Sequence, residues 1–139
     1  MNFKEAIKLV DKNILNFKDL PSEFRANKEI ALKVVKADGY FLQYVTDDLK
    51  KDKEVVLKAV KKNVFSLLYA DDSLKKDKEF ILKAIKLNNF GTFLQYVDSS
   101  LKKDKEVVMA AVKQDGTALE FADKSLKKDK DIVKAAKSK

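Results

Sequence analysis

Any chemistry in this chain must come from carboxylates, lysines, hydroxyls and tyrosines. Its 139 residues include no cysteine and no histidine. That excludes zinc fingers, disulfide frameworks, thiol nucleophiles and imidazole bases. The 30 basic residues are lysines apart from Arg25. Paired acids at Asp47-Asp48 and Asp71-Asp72 are the nearest approach to a cation site, but they lack the alternating spacing of a calcium loop. Tyr44, Tyr69, Tyr96 and Phe121 form an aromatic ladder that could stack bases. Their register with Leu42, Leu67, Leu94 and Leu119 predicts core packing instead. No catalytic, cofactor or metal site is expected.

The lysines are the residues whose spacing stands out. Four triplets recur: Lys50, Lys51, Lys53; Lys75, Lys76, Lys78; Lys102, Lys103, Lys105; and Lys127, Lys128, Lys130. If equivalent positions stack, these twelve form one edge able to follow a phosphate backbone or an acidic partner. Each triplet is interleaved with two acids, so its net charge is small. Lysine also lacks the bidentate fork with which arginine reads phosphate. An unknown protein partner is therefore favoured, with nucleic-acid backbone binding as the alternative.

The elements that carry these triplets are copies of one unit. Leu49-Lys50-Lys51-Asp52-Lys53-Glu54 recurs from Leu74, from Leu101 and, with a final Asp, from Leu126. A worn copy begins at Phe24. The start positions 24, 49, 74, 101 and 126 give a period of 25 residues, stretched to 27 once. After each copy, apolar pairs such as Val55-Val56 and Ala59-Val60 fall at i, i+1, i+4 and i+5, the face of a helix, here termed A. Leu32, Leu57, Leu82 and Met109 widen that face. Asp52, Asp77, Asp104, Asp129 and Asn27 are predicted N-caps. Glu54, Glu79 and Glu106 lie in the first turn, where the helix dipole favours negative charge.

The three glycines, Gly39, Gly91 and Gly116, share one position, where a left-handed C′ residue would end helix A. Asn13 and Asn63 are expected to supply that conformation where Ile14 and Val64 replace glycine. A shorter apolar segment B follows, for example Phe41 to Val45, predicted as about two helical turns. A polar stretch then returns to the anchor leucine, which should tuck inward on a short helical turn. Bulky B segments (Phe41, Phe93) alternate with small ones (Ser66, Ala118). This suggests a duplicated two-repeat block whose layers interdigitate. Leu87 to Phe90 carries the two-residue insertion, read as a local bulge with an exposed Phe90.

One unit cannot bury its own apolar face, whereas stacked neighbours can. The predicted fold is an all-α, right-handed solenoid of about five 25-residue helical-hairpin repeats in one domain, 1–139. Residues 1–23 form a worn cap, 24–48, 49–73, 74–100 and 101–125 the repeats, and 126–139 a closing half repeat whose Lys130, Lys134 and Lys137 face outward. No apolar run reaches signal-peptide or membrane-span length, so a cytoplasmic monomer with no membrane association is expected.

The unit Leu-Lys-Lys-Asp-Lys-Glu-Val-Val, with Ala-Val-Lys, Gly and a B-segment aromatic at fixed spacing, resembles a bacterial and protist family, the domain of unknown function 4116. The likeness is best over 101–122 and extends over about 24–137. The first 23 residues and Val64 depart from it. It implies a helical repeat and no activity. The expected function is a non-enzymatic protein-interaction scaffold.

Overall fold

The computed structural model describes residues 1–88 and 91–138. The bulge predicted around Phe90 lies outside the described residues. Among them there is no strand. The chain forms two compact units, Met1–Asp71 and Asp72–Lys139.

Among the described residues, five repeats contain three helices in the order A, B, C, and a sixth A helix follows. The A helices are Phe3–Lys12, Lys28–Ala37 and Lys53–Lys62 in the first unit, and Lys78–Leu87, Lys105–Gln114 and Lys130–Lys137 in the second. The B segments are 3-10 helices: Ile14–Asp19, Gly39–Tyr44, Val64–Tyr69, Gly91–Tyr96 and Gly116–Phe121. The C helices have four residues each: Ser22–Arg25, Asp47–Lys50, Asp72–Lys75, Ser99–Lys102 and Lys124–Lys127. Residues 1–25 therefore hold a complete set of all three elements.

The predicted caps form. Asn27, Asp52, Asp77, Asp104 and Asp129 each accept a backbone N–H of the first A turn, for example Val107 N–H onto Asp104 Oδ1 at 3.1 Å. The anchors also go inward: Phe24, Leu49, Leu74 and Leu101 are all buried on C helices. Leu126, in the closing repeat, is only half-buried.

The B segments are two-turn helices as predicted, but their hydrogen bonding is 3-10. In a 3-10 helix residues three apart eclipse one another. The Gly39, Leu42, Val45 row is buried along its whole length, as are Val64, Leu67, Ala70 and Gly91, Leu94, Val97. In the first unit, the Lys53–Lys62 helix packs on the Lys28–Ala37 helix, on the preceding B and on its own B. In the second unit, Lys105–Gln114 packs likewise on Lys78–Leu87 and on both B helices. The core is this seam between A and B rows.

The glycine reading needs correction. No glycine and no other described residue has a positive φ. The residue before B is extended instead, with φ of −158°, −153°, −150° and −154° at Asn13, Asp38, Asn63 and Asp115. Each of these side chains accepts the N–H two residues on, capping B. Asn13 and Asn63 are thus caps, not left-handed residues. Glycine is required for space. A Cβ on Gly39 would overlap Ala59 O and lie 2.6 Å from Ser66 Oγ, while one on Gly91 would overlap Thr117 Oγ1 and lie 2.7 Å from Ala118 N.

The bulky and small B segments share the core. Phe41 and Phe93 are buried, as are Ser66 and Ala118. Phe41 packs edge-on against Phe17, with ring centroids 6.4 Å apart.

Candidate functional site

The lysine triplets sit where C passes into A. Lys50, Lys75, Lys102 and Lys127 end the C helices, and Lys53, Lys78, Lys105 and Lys130 open the A helices. Lys51, Lys76, Lys103 and Lys128 stand between and are exposed. Much of this edge is engaged in holding repeats together. Lys78 reaches Asp104 at 2.9 Å and Glu106 at 2.8 Å. Lys105 reaches Asp129 and Asp131, each at 3.1 Å. In the worn copy Lys28 does the same with Asp52 and Glu54, at 3.1 and 2.9 Å. The third lysine therefore bonds the cap and the first-turn acid of the next A helix. These pairings raise the ammonium pKa of Lys28, Lys78 and Lys105 through hydrogen bonds to the facing carboxylates.

The first lysine is tied differently. Lys50, Lys75 and Lys102 are half-buried. Lys50 Nζ lies 4.0 Å from Asp47, and Lys75 Nζ lies 3.6 Å from Asp72. Backbone bonds also tie the end of a C helix to a residue one repeat on within the same unit. In the first unit, Thr46 N–H donates to Arg25 O and Asp71 N–H to Lys50 O; in the second, Asp98 N–H donates to Lys75 O and Asp123 N–H to Lys102 O. Asp98 and Asp123 accept the hydroxyl and N–H of Ser100 and Ser125, which hold both carboxyls below their ordinary value; nearby Lys76, Lys102, Lys103 and Lys124 add to this. The one arginine is structural too. Arg25 donates from Nε to Leu20 O at 2.9 Å and from Nη1 to Tyr44 O at 3.1 Å.

The aromatic ladder lies half-buried. Tyr44 packs edge-on against Phe41 and Tyr69 against Tyr40, at 5.6 and 6.4 Å between centroids. Ring-to-ring packing of this kind gives Tyr44 and Tyr69 a structural role. Asp47, Asp48 and Asp72 occupy the first turns of C helices. Among the described residues, no group of three or more acids is placed to hold a metal ion.

Sequence reasoning gave less definition to the outer face of the A helices. In the first unit a groove of about 730 Å³ runs between Phe3–Lys12 and Lys28–Ala37. Phe3, Ile7 and Leu32 line its apolar part, with Lys4, Lys8, Lys36 and the acid Glu29 around it. Lys33 also borders it but is paired with Asp11 at 2.8 Å. Lys36 borders a second hollow, of about 290 Å³, whose lining is Lys36, Lys58, Lys61 and Lys62. None of these four has an ion-pair partner among the described residues. In the second unit, Leu82, Ile85, Met109 and Ala110 line a groove of about 420 Å³ bordered by Lys86, Lys113, Gln114 and Glu106. Acids cluster in the first turn of each A helix and lysines further along, so each groove rim carries one glutamate, Glu29 or Glu106, among its lysines.

Repeated A–B–C units that bury a shared seam define an all-α helical repeat protein. The chain belongs to the family described as Domain of unknown function (DUF4116), whose model matches residues 6–50, 27–75, 52–102, 77–127 and 104–139. Three of these stretches open at the capping residues Asn27, Asp52 and Asp77 and close at the last residue of a C helix two repeats on. The family unit therefore spans a pair of repeats, and the first repeat is included. No curated protein and no solved structure matches the chain. Among the described residues, no helix is long and apolar enough to cross a membrane.

Proposed function

We propose that this protein is a non-enzymatic interaction scaffold that receives a partner protein on the outer face of its A helices. The observation that carries this is the recurrence, in both units, of a groove between successive A helices with an apolar floor and a charged rim of lysines and one glutamate. Apolar floors with polar rims are the usual anatomy of protein interfaces. The lysine edge supports docking less well, because its third lysines already hold neighbouring repeats. A cytoplasmic monomer is the setting we take for this role.

The test is site-directed photo-crosslinking in cells. A photoreactive residue replaces Leu32 on the A face or Lys103 on the edge. Protein adducts from position 32, with few from 103, are the expected result. Nucleic-acid adducts from position 103, or no protein adduct at 32, would overturn the proposal.

A further inference from the structure

We infer that the partner segment is an acidic amphipathic helix, laid along the A face of the first unit from the Phe3–Ile7–Leu32 groove into the four-lysine hollow. This rests on the scaffold reading and names the chemistry of its ligand. Lys36 borders both depressions, so they lie side by side on the A face and one ligand segment can reach both. The groove has an apolar floor bordered by lysines and by Glu29, and the hollow is cationic with no acid in its lining. A ligand matching both needs apolar side chains on one stripe and carboxylates beside them. An amphipathic helix docking into a groove supplies that arrangement.

The lysines of the hollow differ from those that join repeats. Lys28, Lys78 and Lys105 each hold a neighbouring repeat, whereas Lys36, Lys58, Lys61 and Lys62 have no ion-pair partner among the described residues. Lys36, Lys61 and Lys62 sit in last turns of A helices, where the dipole favours cations. That explains why each is tolerated singly. It does not explain four ammonium groups around one hollow, which repel each other until an anion enters. The position of Lys62 is a lysine in some repeats (Lys12, Lys139) and not in others (Ala37, Leu87, Gln114).

The second unit shows the same place with Gln114 where the first has Lys62. There Gln114 Nε2 donates to Ile85 O at 3.4 Å, and Lys86 and Lys113 are the only lysines bordering the groove. Lysine ammoniums are point charges on flexible stems, suited to carboxylates whose spacing is not rigidly fixed. A bare phosphate backbone would use the cationic hollow and leave the apolar groove empty. The A helices have ten residues each, so a segment of about three helical turns, ~15 Å, matches their length.

The probe is a fluorescein-labelled synthetic helical peptide with leucines on one stripe and glutamates flanking it, titrated by anisotropy at low and moderate salt. Controls are the same peptide with leucines changed to alanine, and a DNA duplex. The expected result is saturable binding of the Leu/Glu peptide, weakened at least ~10-fold by Lys58→Gln, Lys61→Gln and Lys62→Gln together, a typical consequence of removing several interfacial charges. Lys51→Gln, Lys76→Gln and Lys103→Gln together remove equal charge from the edge and should leave binding unchanged. Circular dichroism checks that both variants are folded. Absence of binding overturns the inference, and so does equal weakening by both triple variants. Equally tight binding of the alanine peptide or the duplex also overturns it, because the site would then be a plain polyanion sink. A protein adduct at position 32 alongside any of these failures leaves the scaffold reading standing with a partner of other chemistry. No adduct at 32 removes the scaffold reading itself.

Discussion

The Lys78 ammonium lies 2.9 Å from the carboxylate of Asp104, the residue that caps the next A helix. One aspartate thus closes its own helix through the Val107 N–H and ties that helix to the previous repeat. The two roles can be separated. Asp104→Ala removes both and should cost about 1 kcal/mol in urea unfolding, the usual value of an N-cap. Asp104→Asn keeps the cap acceptor and should cost less. Its remaining deficit should shrink as salt is added, because the lost ion pair is exposed and screened. A deficit equal to that of the alanine variant would mean that the cap contributes nothing.

Stability should fall at both ends of the pH scale. Burial alone would raise the carboxyls of Asp52 and Asp104, yet backbone N–H groups and the lysines Lys28 and Lys78 hold both below the ordinary 3.8. Asp129 is lowered by the Ile132 N–H and Lys105, and Asp115 by the hydroxyl and N–H of Thr117 with the Gly91 N–H. A depressed carboxyl stabilises the fold above its unfolded pKa, and this is lost as pH falls through the folded value. Lys28, Lys78 and Lys105 are raised above 10.5, so their contribution is full below that pH and is lost as pH rises through the folded values. The urea midpoint should therefore be flat from about pH 5 to pH 9 and decline outside that range. Changing Asp104 and Asp129 to Asn should make the acid limb shallower.

The helices of this fold were legible because each repeat writes its own start and face. Asp52-Lys53-Glu54-Val55-Val56 carries its cap, its first-turn acid and its buried pair in five residues. The 3-10 character of B was also written, as the three-residue spacing of Gly39, Leu42 and Val45, but helical period is easily read as 3.6 in so short a segment. The caps of B were hidden because Asp38 and Asp115 stand next to glycines, and a glycine after a helix suggests a left-handed terminator. What the glycines answer to is Ala59, Ser66, Thr117 and Ala118 in the following repeat. Such contacts depend on how repeats are rotated against one another, which no local pattern records. The lysine edge has the same limit. Lys78 and Lys103 are similar in sequence, and only the placement of the next A helix engages one and leaves the other exposed.

The anchor leucines should rank by burial. Leu101 is 6% exposed, so Leu101→Ala should cost on the order of 2–4 kcal/mol through lost transfer energy and the cavity left behind. Leu126 occupies the same place on the last C helix but is half-buried, and its alanine variant should cost clearly less. Chemical denaturation of both variants reads the difference directly. Equal costs would mean that the anchor acts within its own repeat and not through stacking.

Gly39 and Ser66 meet across one layer of the core, and two substitutions there should have opposite signs. Ser66 is fully buried, and its hydroxyl has no hydrogen-bond partner. An unsatisfied buried hydroxyl costs roughly 1–3 kcal/mol, and the corresponding residue two repeats on is Ala118. Ser66→Ala should therefore be neutral or raise stability by about 1 kcal/mol. Gly39→Ala should destabilise by about 1–3 kcal/mol, because its new methyl overlaps the Ala59 carbonyl and presses on Ser66. Trimming Ser66 to glycine should not rescue it, since the carbonyl contact is backbone and remains. Thermal unfolding of the two single variants and of the Gly39→Ala, Ser66→Gly pair tests this. Full rescue in the pair would show that the side chain, and not the close approach of the Ala59 backbone, is what requires glycine at position 39.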